Sequence, residues 1–183
     1  MPALKTIARQ INQCALCPLH QHRILAVPGE GPADARLMFI GEAPGAEEDR
    51  QGRPFMGRAG KILTDALREA GINRESVFIT SVVKCRPPQN RLPHQSEIST
   101  CVNHYLTQQI VLMNPAIICL LGNTAANAVL VRISLAEDRG RLIGAKPACF
   151  ITYHPAAAGR SRKWKNAFFA DIKNLSGLMS TIQ

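Results

Sequence analysis

The sequence predicts an α/β fold: a three-layer α/β/α sandwich around a central four-stranded parallel sheet. Two observations carry that expectation. Four short apolar runs alternate with stretches of helical periodicity, the pattern of a parallel sheet buried on both faces. Motif-like residues fall directly after each run, at the strand ends where open parallel sheets bind ligands.

Taken in order, an amphipathic helix is predicted over Leu4 to Gln13, and Cys14 to Ala35 reads as a loop-rich stretch with His, Pro and Gly. Leu37-Met38-Phe39-Ile40 is the first strand, stopped by Gly41-Glu42-Ala43-Pro44-Gly45. Ile62, Leu63, Ala66, Leu67 and Ala70 fall at helical spacing, and Gly71 supplies the stop. Val77 to Val83 is β-branched and aromatic, hence the second strand. A helix follows from about Gln95 to Met113, a third strand over Ala116 to Leu121, a helix over Thr124 to Leu130, a fourth strand over Cys149 to Tyr153, and a closing helix over Arg162 to Met179. Periodicity does not give the strand order.

The chain has 183 residues, 46% of them hydrophobic and 19% charged. That length and balance fit one folded domain over residues 1–183, large enough to bury a core without disulfides. There is no export signal, and no apolar run nears the roughly 18 residues of a membrane span. The expectation is therefore a soluble, cytoplasmic monomer. Lys and Arg number 22 against 13 Asp and Glu, a formal charge of +9. Such a balance suits a polyanionic partner.

Six cysteines without an export signal point to metal or redox use rather than to disulfides. Cys14 and Cys17 have chelating spacing, and Cys85 and Cys101 could complete a set of four thiolates, for zinc or an iron–sulfur cluster alike. Cys119 and Cys149 lie in predicted strands and read as core. Between Gly41 and Gly60, glycines allow close approach to a planar ligand, Phe55 offers a flat face, and Glu42 sits where a base or water-holding carboxylate belongs. Glu47, Glu48 and Asp49 read as a solvated acidic turn. His154-Pro155 ends the fourth strand. Arg160, Arg162, Lys163 and Lys165 surround Trp164, a composition suited to a phosphate backbone.

Together these segments resemble the family 4, iron–sulfur, uracil-DNA glycosylases. The resemblance runs through Cys14-Ala15-Leu16-Cys17, Pro28-Gly29-Glu30-Gly31, the whole of Gly41 to Gly60, Ile79 to Pro88 with Asn90-Arg91 and Pro93, Glu97-Ile98 with Cys101, and Thr152 to Ala157. It implies base-excision DNA repair: a monofunctional hydrolase that cuts the N-glycosidic bond of uracil in DNA, releases the free base and leaves an abasic site. It implies a 4Fe–4S cluster on Cys14, Cys17, Cys85 and Cys101. It implies a uracil pocket of Gly41, Glu42, Ala43, Phe55, Ser81 and His154, with Glu42 and His154 catalytic. Arg86, Arg160, Arg162 and Lys163 are the expected DNA contacts, with Ala156 to Arg162 as the loop that wedges into the duplex.

Two departures from the family stand out. Ser81 occupies a position where the family has Asn, which raises the alternative of a non-catalytic or altered-specificity iron–sulfur DNA-binding protein of the same fold. Some relatives bond covalently to the abasic site through a histidine that falls near Asn90 here, with His94 out of register, so that chemistry is not expected.

Overall fold

The computed structural model describes residues 3–130 and 133–179; residues 1–2, 131–132 and 180–183 of the predicted span lie outside the described residues. The four predicted parallel strands are present as β1 (Leu37–Gly41), β2 (Phe78–Ser81), β3 (Ile117–Leu121) and β5 (Ala148–Thr152). The sheet nevertheless has five strands. A two-residue strand β4 (Leu142–Ile143) adds antiparallel to β5, giving the order β2-β1-β3-β5-β4. Two residues carry too little pattern to be read as a strand from sequence.

Every residue of the four parallel strands is buried, because helices cover both faces. Alternation then sorts the side chains between two cores. Met38, Ile40, Ile118, Leu120 and Ile151 share one apolar cluster with Ile7 and Ile11 of α1 (Leu4–Gln13). Leu37, Phe39, Ile117, Leu121 and Phe150 share the other with Leu63 and Leu67 of α3 (Arg58–Glu69) and Phe168 and Ile172 of α9 (Arg162–Met179). Each such side chain taken fully out of water contributes about 1.5–3 kcal/mol. Among the described residues no helix is long and apolar enough to cross a membrane.

The helix predicted over Gln95 to Met113 runs as α4 (Gln95–Cys101), a π-helical turn over Val102–Leu106, and α5 (Thr107–Met113). The π turn begins directly after Cys101. Such bulges are frequent at functional sites.

The acidic run is corrected. Glu47, Glu48 and Asp49 belong to a short helix, α2 (Ala46–Gln51), and Glu48 and Asp49 are buried rather than solvated. Their carboxylates satisfy backbone donors of neighbouring loops, the condition on which a buried charge is tolerated.

The connectivity creates a crevice. The chain leaves β1 for β2 on one side, then returns across β1 to β3 on the other. The strand order therefore reverses between β1 and β3, and their carboxyl ends open a gap at that switch point.

Candidate active site

A cleft of about 420 Å³ opens over these strand ends, lined among others by Glu42, Phe55, Ser81, Asn90, His154 and Arg160. Ala43 lines it as well. Three parts of the chain deliver them: the segment after β1 brings Glu42, Ala43 and Phe55, the end of β2 and the segment after it bring Ser81 and Asn90, and the segment after β5 (Ala148–Thr152) brings His154 and Arg160.

Glu42 follows β1 directly. One carboxylate oxygen, Oε2, accepts a hydrogen bond of 2.5 Å from the Thr124 hydroxyl. Thr124 lies in the first turn of α6 (Asn123–Val129), just beyond β3, so this contact spans the switch point. Sequence reading missed Thr124. Its only signal was its place two residues after the third strand's Gly122.

Phe55 is set by two close approaches. Its backbone is left-handed, with φ 53°, an uncommon conformation for a bulky residue. A Cβ on Gly60 would stand 1.8 Å from the Phe55 carbonyl oxygen, and one on Gly41 would stand 2.6 Å from the ring. The two glycines thus seat the ring against the end of β1. Glu48 straps the same loop. Its Oε1 accepts from the backbone N–H groups of Met56 (2.7 Å) and Gly57 (2.8 Å), and its Oε2 from Gly45 (3.0 Å). Arg74 adds a bond to the Pro54 carbonyl at 2.9 Å.

Ser81 ends β2, buried, and its carbonyl accepts from the ammonium of Lys84 at 2.6 Å. Lys84 is fully buried, also donates to Thr80 Oγ1 at 2.7 Å, and burial pushes its pKa down to about 7. Thr80 in turn donates to the Pro28 carbonyl at 3.0 Å. The end of β2 is therefore pinned from inside the core.

His154 follows β5 and caps α8 (Pro155–Ala158). Its Nδ1 accepts from the Ala156 N–H at 3.2 Å, and its ring centroid lies 5.9 Å from that of Phe55. Burial pushes its pKa down to about 4, opposed by the Glu48 carboxylate. The imidazole is thus neutral at physiological pH, and with Nδ1 accepting, its proton sits on Nε2 as a donor. The strand before it is anchored by the buried Asp171 of α9, which accepts from Thr152 Oγ1 at 2.5 Å and from Arg139 at 2.7 Å.

The four expected DNA contacts separate. Arg160 lines the cleft and also a neighbouring groove of about 410 Å³, where Arg58, Lys61, Arg162 and Lys165 gather. Lys163 is exposed on α9. Arg86 donates to Asn90 Oδ1 at 2.8 Å and so shapes the cleft rim. Trp164 stacks on Tyr153 at 6.0 Å and remains 40% exposed.

Cys85 and Cys101 lie in the same apolar cluster as Cys149, with Cys14 and Cys17 packed against it, and all six cysteines are free thiols. Each of the four has a hydrogen-bond donor aimed at its sulfur. These are the N–H of Leu16 for Cys14 (3.5 Å), that of Leu19 for Cys17, the Arg23 guanidinium for Cys85 (3.0 Å) and the N–H of Lys84 for Cys101. Burial raises the thiols of Cys17, Cys85 and Cys101, Cys101 to about 11, and each of these donors opposes that shift. Cys119 and Cys149 are raised by burial with no donor acting against it. Donors to sulfur are compatible with a thiolate ligand set, whose properties such outer contacts tune. Among the described residues no three His, Cys, Asp or Glu side chains close on a single metal ion.

Residues 28–174 match the family described as the uracil DNA glycosylase superfamily. The chain is 46% identical over 192 residues to a type-4 uracil-DNA glycosylase of Saccharolobus solfataricus, covering 99% of this chain and 88% of that protein. It is 44% identical over 164 residues to the type-4 enzyme of Thermotoga maritima, covering 87% and 84%. A type-5 uracil-DNA glycosylase of Thermus thermophilus is 31% identical over 148 residues, covering 73% and 64%.

Proposed function

The chain belongs to the uracil-DNA glycosylase superfamily, and from that premise we propose how it performs the family's reaction, the hydrolytic release of uracil from DNA. The observation that carries the reading is the convergence of Glu42, Phe55, Ser81 and His154 on one cleft at the sheet's switch point. We read residues 1–183 as one glycosylase domain, working as a cytoplasmic monomer.

A base inside a duplex is out of reach, so the nucleotide must leave the stack to enter the cleft. Phe55 supplies the flat face on which the flipped base rests, and Gly41, Ala43 and Ser81 border it. As the C1′–N1 bond breaks, the sugar gains positive charge and the base leaves as an anion. The Nε2–H of neutral His154 donates to the base carbonyl where that charge develops, a contact strongest in the transition state. Glu42 faces the other charge. With Oε2 held by Thr124, Oε1 remains to accept from the attacking water and to stabilise the cationic sugar. Water then adds to C1′, its proton passes to the carboxylate, and an abasic site remains. Arg160, Arg162 and Lys163 grip phosphate beside the cleft, and Arg86 acts through Asn90.

Ser81 tests the reading of the base edge. Asn presents a donor and an acceptor together and can pair with N3–H and O4 of uracil at once. The single Ser81 hydroxyl cannot hold both contacts. A missing bond of this kind costs roughly 1–3 kcal/mol, about ten- to a hundredfold in rate, too little to abolish turnover. Purified protein is expected to release free base from oligonucleotides containing uracil, and Ser81→Asn to accelerate that release with cytosine as control. No release of base by either protein overturns the proposed activity. An unaltered or lower rate in Ser81→Asn means the pocket is rebuilt around serine.

Cys14, Cys17, Cys85 and Cys101 would hold a 4Fe–4S cluster, supported by their shared donor pattern. When bound, that group supplies a cross-link between the amino-terminal loop and the segments carrying Cys85 and Cys101. About four irons per chain are expected from metal analysis of anaerobically purified protein. Cys85→Ala should lose them and Cys119→Ala keep them. Stoichiometric zinc without iron contradicts the assignment.

A further inference from the structure

Opening a duplex leaves a hole where the nucleotide stood, and proteins that distort DNA fill such gaps with an apolar wedge. The segment after His154, where the wedge was expected, has only Pro155, Ala156, Ala157, Ala158 and Gly159 before Arg160, and Pro155 is buried. Another stretch of the cleft wall differs. Asn90 and Arg91 line it, and the next residue, Leu92, is 70% exposed, the most exposed large apolar side chain among the described residues.

We propose that Leu92 is the wedge that enters the base stack when the nucleotide flips; this rests on the glycosylase reading above. The loop that bears it is pre-organised. Pro87, Pro88 and Pro93 flank it, and Gln89 and Asn90 both hold left-handed backbone, at φ 55°. Arg86 fixes the Asn90 side chain at 2.8 Å. Arg91 makes two bonds to the buried Glu97, at 2.8 and 2.9 Å, and a third to the Leu92 carbonyl at 2.9 Å. Glu97 also accepts from the His94 N–H at 2.7 Å, which ties the loop to the first turn of α4. A side chain presented by a rigid loop pays little ordering entropy on insertion. Its exposed surface leaves water only when a hydrophobic slot closes on it. The slot on offer is the gap between base steps. Arg160 lines the same cleft and Arg86 stands on the same loop with no carboxylate partner among the described residues, so the surroundings favour a polyanion over an apolar protein partner.

The test compares Leu92→Ala with the unaltered protein on uracil in a duplex and in a single strand, where no stack need be opened. Expected is a loss of roughly tenfold or more in single-turnover release from the duplex, with less than a twofold change on the single strand. Leu92→Met should restore duplex activity. Fluorescence of 2-aminopurine beside the uracil reports unstacking independently of bond cleavage, and it should rise less with Leu92→Ala. Equal losses on both substrates indicate a structural role and overturn the proposal, as does an unchanged duplex rate. If the unaltered protein releases no uracil from either strand, the glycosylase reading fails. The fluorescence signal then still decides on the wedge.

Discussion

Replacing His154 with alanine is expected to slow uracil release by roughly 100-fold or more, the typical loss on removing one pre-organised donor to a developing anion. The affinity for uracil-containing DNA should barely change, because the contact strengthens only as the bond breaks. Two features make His154 suited to the role. Its Nδ1 is occupied as an acceptor of the Ala156 N–H, which leaves the proton on Nε2. Burial lowers its pKa to about 4, so the donor is neutral at working pH. The sign of the pH dependence follows. Free imidazole protonates as pH falls through about 6.5. In the folded protein that event is displaced downward, so the rate should show no inflection attributable to His154 between pH 8 and 5. Only as pH approaches 4 does protonation take away the Nδ1 acceptor and disturb the ring's setting. Alanine also removes the cap of α8, worth about 1 kcal/mol, so thermal melting should accompany the kinetics. A mutant that loses rate and DNA affinity equally has lost structure, and His154 is then not the donor.

Glu42→Gln is the second large effect expected, roughly a 100-fold loss or more, in the range of a general base removed from a transition state. The substitution is chosen for what it keeps. A glutamine carbonyl can still accept from the Thr124 hydroxyl, so the bridge between the ends of β1 and β3 persists and the fold with it. What disappears is the negative charge that faces the sugar and the basicity that takes the water's proton. Thr124→Val should give a smaller loss, because the carboxylate survives but is free to swing. Single-turnover release and melting temperature of both variants decide the matter. A Glu42→Gln protein as fast as the parent excludes the carboxylate from the chemistry. If Thr124→Val is the slower of the two, orientation outweighs charge.

Much of the molecule is determined locally and was legible along the chain. The four apolar strands are continuous because both faces are covered, and four such short runs alternating with helices are the pattern of a buried parallel sheet. Of the residues proposed to hold the base, Gly41, Phe55 and His154 stand at strand ends or in a glycine-rich turn, where short-range chemistry marks them, whereas Ser81 falls inside the predicted second strand and is marked only by the family resemblance. The loop positions of Cys14, Cys17 and Cys85 and the strand positions of Cys119 and Cys149 were legible too, whereas Cys101, on a helix, carries no such local mark. What the chain does not carry locally is partnership across long separations. Glu48 looked solvated because three charges in a row usually are, and only the fold brings the amides of Gly45, Met56 and Gly57 around its carboxylate. Thr124 is an unremarkable helix-start threonine until strand order places β3 beside β1 and so beside Glu42. Leu92 reads as any loop leucine until its neighbours Asn90 and Arg91 are found on the cleft wall. Strand order itself rests on which apolar faces fit together in three dimensions. Alternation records that a strand is buried, but not against which strand, and so the switch point and the cleft above it belong to the tertiary structure alone.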